Sequence, residues 1–174
     1  MLLWDKKMEP ARSTLAKLSQ PQRLQLALAC INDVQDALGR VFAGVAPEAQ
    51  RKFFRSALAL VSDVAEVSEL PREAAGKLLE SASAWLPDAP PGVWDMAGAM
   101  VAILQRAGGL LSDEDVWGIM SYAYQVVLHA QVLMELEREV TETEVQQMEA
   151  ESPRCMTCIS TQLQHIADAA AETH

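Results

Sequence analysis

The stretch from Ser112 to about Val140 limits the fold of this chain more than any other. It opens on Ser112-Asp113-Glu114-Asp115, where a serine caps the first turn and three carboxylates sit at the positive end of the helix dipole. Beyond that start, apolar residues cover more than one face, as in a helix packed on several sides. The spacing predicts a long central helix. Trp117, Tyr124, Leu128 and Leu136 fall on it and are expected in the core. Its polar residues Ser121, Gln125, His129, Gln131 and Glu135 argue against a membrane span.

The rest of the chain has the same helical rhythm. Ser19 and Gln22 form a capping box, with Pro21 tolerated in the first turn. Leu24, Ala27, Leu28, Ile31, Leu38, Val41 and Phe42 then repeat at helical spacing, and Gly44 ends the run. Pro47 and Pro71 open two further helices. Pro87–Gly92 reads as a loop, and a helix carrying Val93, Ala97, Met100, Val101 and Leu104 follows it. Residues 142–153 read as a polar connector and residues 1–18 as loosely ordered, with Leu15 and Leu18 packing as a short turn or helix. A last helix spans about Met156 to Ala170. Strand alternation, a βαβ rhythm, a glycine-rich phosphate loop and an internal repeat are all missing from the sequence. The expectation is an all-α, single-domain bundle of six or seven helices over 1–174.

Composition supports one ordinary domain. The chain has 174 residues, 50% of them hydrophobic and 22% charged, and only 5% aromatic. Its net charge is −10, distributed unevenly. Nine basic and five acidic residues lie in 1–55, three and ten in 56–134, and two and nine in 135–174. Such a balance is wrong for nucleic acid or for an anionic membrane; it either keeps the chain soluble or attracts a basic protein partner. The opening MLLWDKKMEP lacks the long apolar core of a signal peptide. Three cysteines do not make a secreted disulfide framework. A cytoplasmic location is expected.

Three sets of residues could carry chemistry. Cys155 and Cys158 are either two incidental thiols or, from their C-x-x-C spacing, a redox pair activated when a helix N-terminus lowers a thiol pKa. With His165 they would give a metal three ligands. The C-x-x-C resembles that of the AhpD family of all-α peroxidase-like proteins. There a histidine follows at the position of Gln162, and it would relay the proton that activates the thiol. Ser121, Gln125 and His129 form a polar stripe on an apolar helix, either a site or a hydrogen-bonded part of the core. Glu135, Glu137, Glu139, Glu142, Glu144, Glu149 and Glu151 form an acidic run, either a solvated face or a docking face for a basic protein. It lacks the Glu-x-x-His pairs of a dimetal carboxylate bundle. Glu135, Glu139 and Glu142 share one helix face and are the candidate partner-binding residues.

Several segments together carry a family resemblance. They are Cys30 within LALACIND, the Trp85-Leu-Pro-Asp88 turn, the small-residue run Ala97-Gly-Ala-Met100, the helix start at Ser112 and Met134-Glu135-Leu136. In this order they resemble the YjaG-like family of uncharacterised bacterial all-α proteins, over about residues 15–170. Some members of that family are candidate immunity proteins beside toxins. The resemblance implies an all-α fold and a protein partner, and carries over no catalytic residues. The functional expectation is a non-enzymatic cytoplasmic interaction protein, of the immunity type, that binds a basic protein without cofactor or metal. The alternative is a small all-α thiol redox enzyme using Cys155 and Cys158.

Overall fold

A computed structural model describes residues 1–41, 47–133 and 140–172, apart from the side chain of Val41. Among these residues every regular element is helical. The principal helices are α1 (Leu3–Met8), α2 (Arg12–Leu15), α3 (Gln20–Asp33), α4 (Gln35–Val41), α5 (Glu48–Ser62), α6 (Arg72–Ser83), α7 (Pro91–Leu104), α8 (Asp113–Leu128), α9 (Glu142–Glu151) and α10 (Pro153–Ala171). Short 3-10 turns link several of them, and α8 continues into a π turn over His129–Leu133.

α8 is the central element. It packs most extensively on α7 and also on α3, α4 and α10. Val116, Ile119, Met120, Ala123, Tyr124, Val126, Val127 and Leu128 are all buried, which accounts for apolar residues on more than one face. Each large side chain in such a core contributes about 1.5–3 kcal/mol by leaving water. Ser112 starts α8 as the sequence predicts. Its Oγ accepts from the Asp115 N–H at 3.0 Å, and the Asp115 carboxylate accepts from the Ser112 N–H at 2.8 Å. Trp117 is only partly buried, because it faces the Arg12 guanidinium at 4.7 Å. Leu136 lies outside the described residues.

The first eighteen residues correct the expectation of loose order. Trp4, Met8 and Leu15 are fully buried. The Trp4 indole packs on Trp117 and Tyr124, and its Nε1–H donates to Gln162 Oε1 at 2.7 Å. Arg12 pairs with Glu114 at 2.5 Å and ties the same segment to the start of α8.

Residues 142–153 are likewise not a connector. Most of them form α9, started by a capping box between Thr141 and Glu144. The Glu144 carboxylate accepts from the Thr141 N–H at 2.8 Å. The single long helix expected after Ser19 is interrupted at Val34, whose φ of −102° and ψ of 7° leave the helical region. Asn32 and Asp33 precede the break, and such side chains compete for backbone groups and weaken helix interiors. The Ile31 carbonyl accepts from the Val34 N–H at 3.4 Å, and the Gln35 side-chain amide donates to the same carbonyl at 3.2 Å. Phe42 and Gly44, expected at the end of that run, lie outside the described residues.

The Pro87–Gly92 segment is shorter as a loop than expected. Leu86–Asp88 form a 3-10 turn, and α7 starts at Pro91, where a proline at the first helical position costs no hydrogen bond. After α7, Gly108 takes a φ of +72° that only glycine adopts at no cost. A Cβ there would sit 2.2 Å from Arg72 Nε. The turn is bonded at both polar groups. Gly108 N–H donates to the Val67 carbonyl at 2.9 Å, and Arg72 donates to the Gly108 carbonyl at 3.0 Å.

Candidate functional site

The α3–α4 break opens a cleft against α10. Cys30, Asp33, Val34, Asp36 and Ala37 line one wall, and Arg154, Thr157, Cys158, Thr161 and Gln162 the other, around about 380 Å3. Val34, Ala37 and Val127 are buried and form an apolar floor. The break turns Asp33 and Asp36 toward solvent while Val34 and Ala37 stay inside. On α10, Arg154, Thr157, Cys158 and Thr161 recur at helical spacing and so share a face. His165 lies one turn further on, and its Nε2 meets Asp33 Oδ2 at 2.7 Å.

The structure separates the two cysteines of the C-x-x-C. Cys155 is fully buried beside Tyr124 and Glu149. Cys158 is partly exposed and shares the cleft with Cys30, a cysteine from the other wall. Burial raises all three thiol pKa values. Cys158 is pushed up to about 12, first by burial and then by the neighbouring Cys155 and Asp33. At neutral pH these groups are thiols, and the thiolate is the reactive species. Gln162 supplies no proton relay. It is buried and occupied, accepting from Trp4 and donating to the Met120 carbonyl at 3.0 Å. Among the described residues no three His, Cys, Asp or Glu side chains gather to hold a metal ion.

The polar stripe on α8 divides into two units. The Gln125 amide donates to Ser121 Oγ at 3.3 Å. His129 Nδ1 lies 2.8 Å from Asp95 Oδ2, a short polar contact without the alignment of a hydrogen bond. Asp95 is buried on α7, so this contact joins α7 to the end of α8 and does not line the cleft.

Of the acidic run, Glu135, Glu137 and Glu139 lie outside the described residues. Glu142 is exposed, but it opens α9 behind the extended Thr141 cap and so does not continue the helix face expected to join it to residues 135 and 139, and it is not unpaired. Its Oε1 meets the Met1 ammonium at 2.6 Å, and that bond lowers its pKa. Glu149 is fully buried, accepting from the Tyr124 hydroxyl at 2.6 Å and from the Leu3 N–H at 2.9 Å. It belongs to the core and not to a solvated face.

A surface feature lies on α7 and α8 that periodicity does not single out. Trp94 is 42% exposed, an unusual state for so large an apolar side chain. Its ring meets Tyr122 edge to face, with centroids 5.7 Å apart. Tyr122 lies across Gly98, where an added Cβ would come within 3.1 Å of the ring. The glycine therefore lets the tyrosine lie flat on α7 beside the tryptophan. The only sequence signal is that Trp94 falls off the stripe of Val93, Ala97, Met100 and Leu104.

No protein-family model matches the chain, and no curated protein or solved structure is significantly similar to it. No described helix is long and apolar enough to cross a membrane.

Proposed function

We propose that this chain is a non-enzymatic protein-interaction protein that binds a basic partner, in the manner of a cytoplasmic immunity protein. The observation that carries the reading is the exposed Trp94 paired with the half-buried Tyr122 on a molecule of net charge −10. Tryptophan and tyrosine are the residues that most often anchor protein interfaces, while surface charge steers encounter. The aromatic edge would take apolar or cationic groups of the partner, since a tryptophan face attracts Arg and Lys. Exposed acids without ion pairs among the described residues, such as Asp63, Glu80 and Asp88, add to the attraction. In this reading the bundle of six or seven longer helices is a rigid scaffold. The YjaG-like resemblance is consistent with it and supplies the immunity role.

The test is capture of partners from the native host on the tagged chain, with elution by salt. A basic protein retained by the wild type and lost with Trp94→Ala supports the reading. Retention that is indifferent to Trp94→Ala and to salt overturns it.

A further inference from the structure

The cleft beside the α3–α4 break holds opposite charges on opposite walls. Asp33 and Asp36 stand on one wall and Arg154 on the other. Asp33 is already engaged by His165. Asp36 and Arg154 are exposed, and neither has a hydrogen bond or an ion pair among the described residues. Below them lies the buried apolar floor of Val34, Ala37 and Val127.

We propose that this cleft is a binding site for a small zwitterion of the amino-acid class, with its carboxylate on Arg154, its ammonium on Asp36 and its apolar body on the floor. The guanidinium fork matches a carboxylate in shape as well as charge. Thr157 and Thr161, on the same face of α10, place hydroxyls along that wall to donate to the same carboxylate. A ligand that is only anionic would face two aspartates. One that is only cationic would leave Arg154 without a partner. The volume is at the small end of known ligand sites, which run from about 300 to 1,000 Å3, and so suits a molecule of this size. The site shares no residue with the Trp94–Tyr122 surface, so the two readings stand or fall separately.

The experiment is calorimetric titration of the whole chain with L-leucine, L-methionine and 5-aminopentanoate. Two truncated controls run beside them: 4-methylpentanoate, which lacks the ammonium, and 3-methylbutylamine, which lacks the carboxylate. At least one zwitterion is expected to bind, and both controls at least about tenfold more weakly, because each leaves one charged side chain unpartnered. Asp36→Asn and Arg154→Gln sit at exposed positions and are expected to fold. Each should weaken binding about tenfold or more. Unchanged circular dichroism would show that the loss is local. Three results would overturn the proposal: no zwitterion binding at about 10 mM, 3-methylbutylamine binding as tightly as L-leucine, or wild-type affinity in both folded variants.

Discussion

Glu149 and Tyr124 meet inside the protein, with the phenol donating to one carboxylate oxygen at 2.6 Å and the Leu3 N–H donating to the other at 2.9 Å. One carboxylate thereby joins α9, α8 and the first turn of α1. Burial first, and then the bond to Glu149, push the Tyr124 pKa well above its ordinary value, so the phenol remains the donor at any ordinary pH. Glu149→Ala removes the acceptor for two buried donors, and each donor left unsatisfied costs about 1–3 kcal/mol. A loss of about 2–5 kcal/mol is expected in urea unfolding, with Trp4 becoming accessible to a fluorescence quencher. A loss below about 0.5 kcal/mol would mean that the carboxylate holds nothing together.

The central position of α8 gives a second prediction. Leu128 is 2% exposed, at the end of the helix that packs on α3, α4, α7 and α10. Truncation to alanine removes apolar burial and leaves a cavity, at a cost of about 2–5 kcal/mol. Equilibrium denaturation measures it. A value near that of a surface substitution would place α8 at the edge of the core.

Much of this fold is legible along the chain, where the cause is local. The starts at Ser19, Pro47, Pro71 and Ser112 follow from residues within one turn of each helix end. Thr141-Glu142-Thr143-Glu144 is equally local, yet the surrounding run of carboxylates hides it, because an acidic run without apolar periodicity reads as solvated chain. The burial of Trp4 has no local signal at all. Its partner Gln162 is 158 residues away. The cleft is hidden for the same reason. Asp36 and Arg154 share it only because the Val34 break and α10 come together in space. The C-x-x-C motif shows the converse. Its spacing is chemically suggestive, but burial decides what the thiols do.

That burial is measurable. At pH 7 iodoacetamide should label native Cys158 slowly and Cys30 and Cys155 hardly at all, because each thiol pKa is raised and two of the three side chains are buried. In urea all three should react as ordinary cysteines, with a pKa of about 8.5. Cys158→Ser should be nearly neutral. Cys155→Ser places a hydroxyl in a core position and should cost about 1–3 kcal/mol. Rapid labelling of native Cys155 at pH 7 would contradict this packing.

The cap of α8 makes stability depend on pH. Burial works to raise the Asp115 pKa, but bonds from Arg106 and Ser112 outweigh it and hold the value below the ordinary range. A carboxylate whose folded pKa is depressed stabilises the native state above its unfolded pKa of about 3.9. That contribution is lost as pH falls through the folded value. Asp115→Asn should therefore lower stability at pH 7 and flatten the loss on acidification below about pH 4. Ser112→Ala, which removes the cap, should cost about 1 kcal/mol. Wild-type and Asp115→Asn denaturation curves that shift in parallel with pH would show that this carboxylate plays no part.

Partner binding should divide into steering and anchoring. Charge acts at a distance before contact, so raising salt should slow association steeply, while rim charges contribute little once the complex has formed. An aromatic anchor acts after contact, so Trp94→Ala should leave the on-rate nearly unchanged and speed dissociation by about tenfold or more. Gly98→Ala tests the same surface from below, since its methyl would press on a Tyr122 ring only 3.1 Å away and tilt it from α7. Alanine is the better helix former by about 1 kcal/mol, so stability should hold or rise while affinity falls. Reversing Glu135, Glu139 and Glu142 to lysine should slow association if these carboxylates steer the partner. For Glu142 the change also breaks its bond to the Met1 ammonium, so a separate Glu142→Gln measures how much of the effect is internal. Surface plasmon resonance at two salt concentrations resolves all of these rates. Dissociation unchanged in both Trp94→Ala and Gly98→Ala would remove the α7–α8 surface as the anchor.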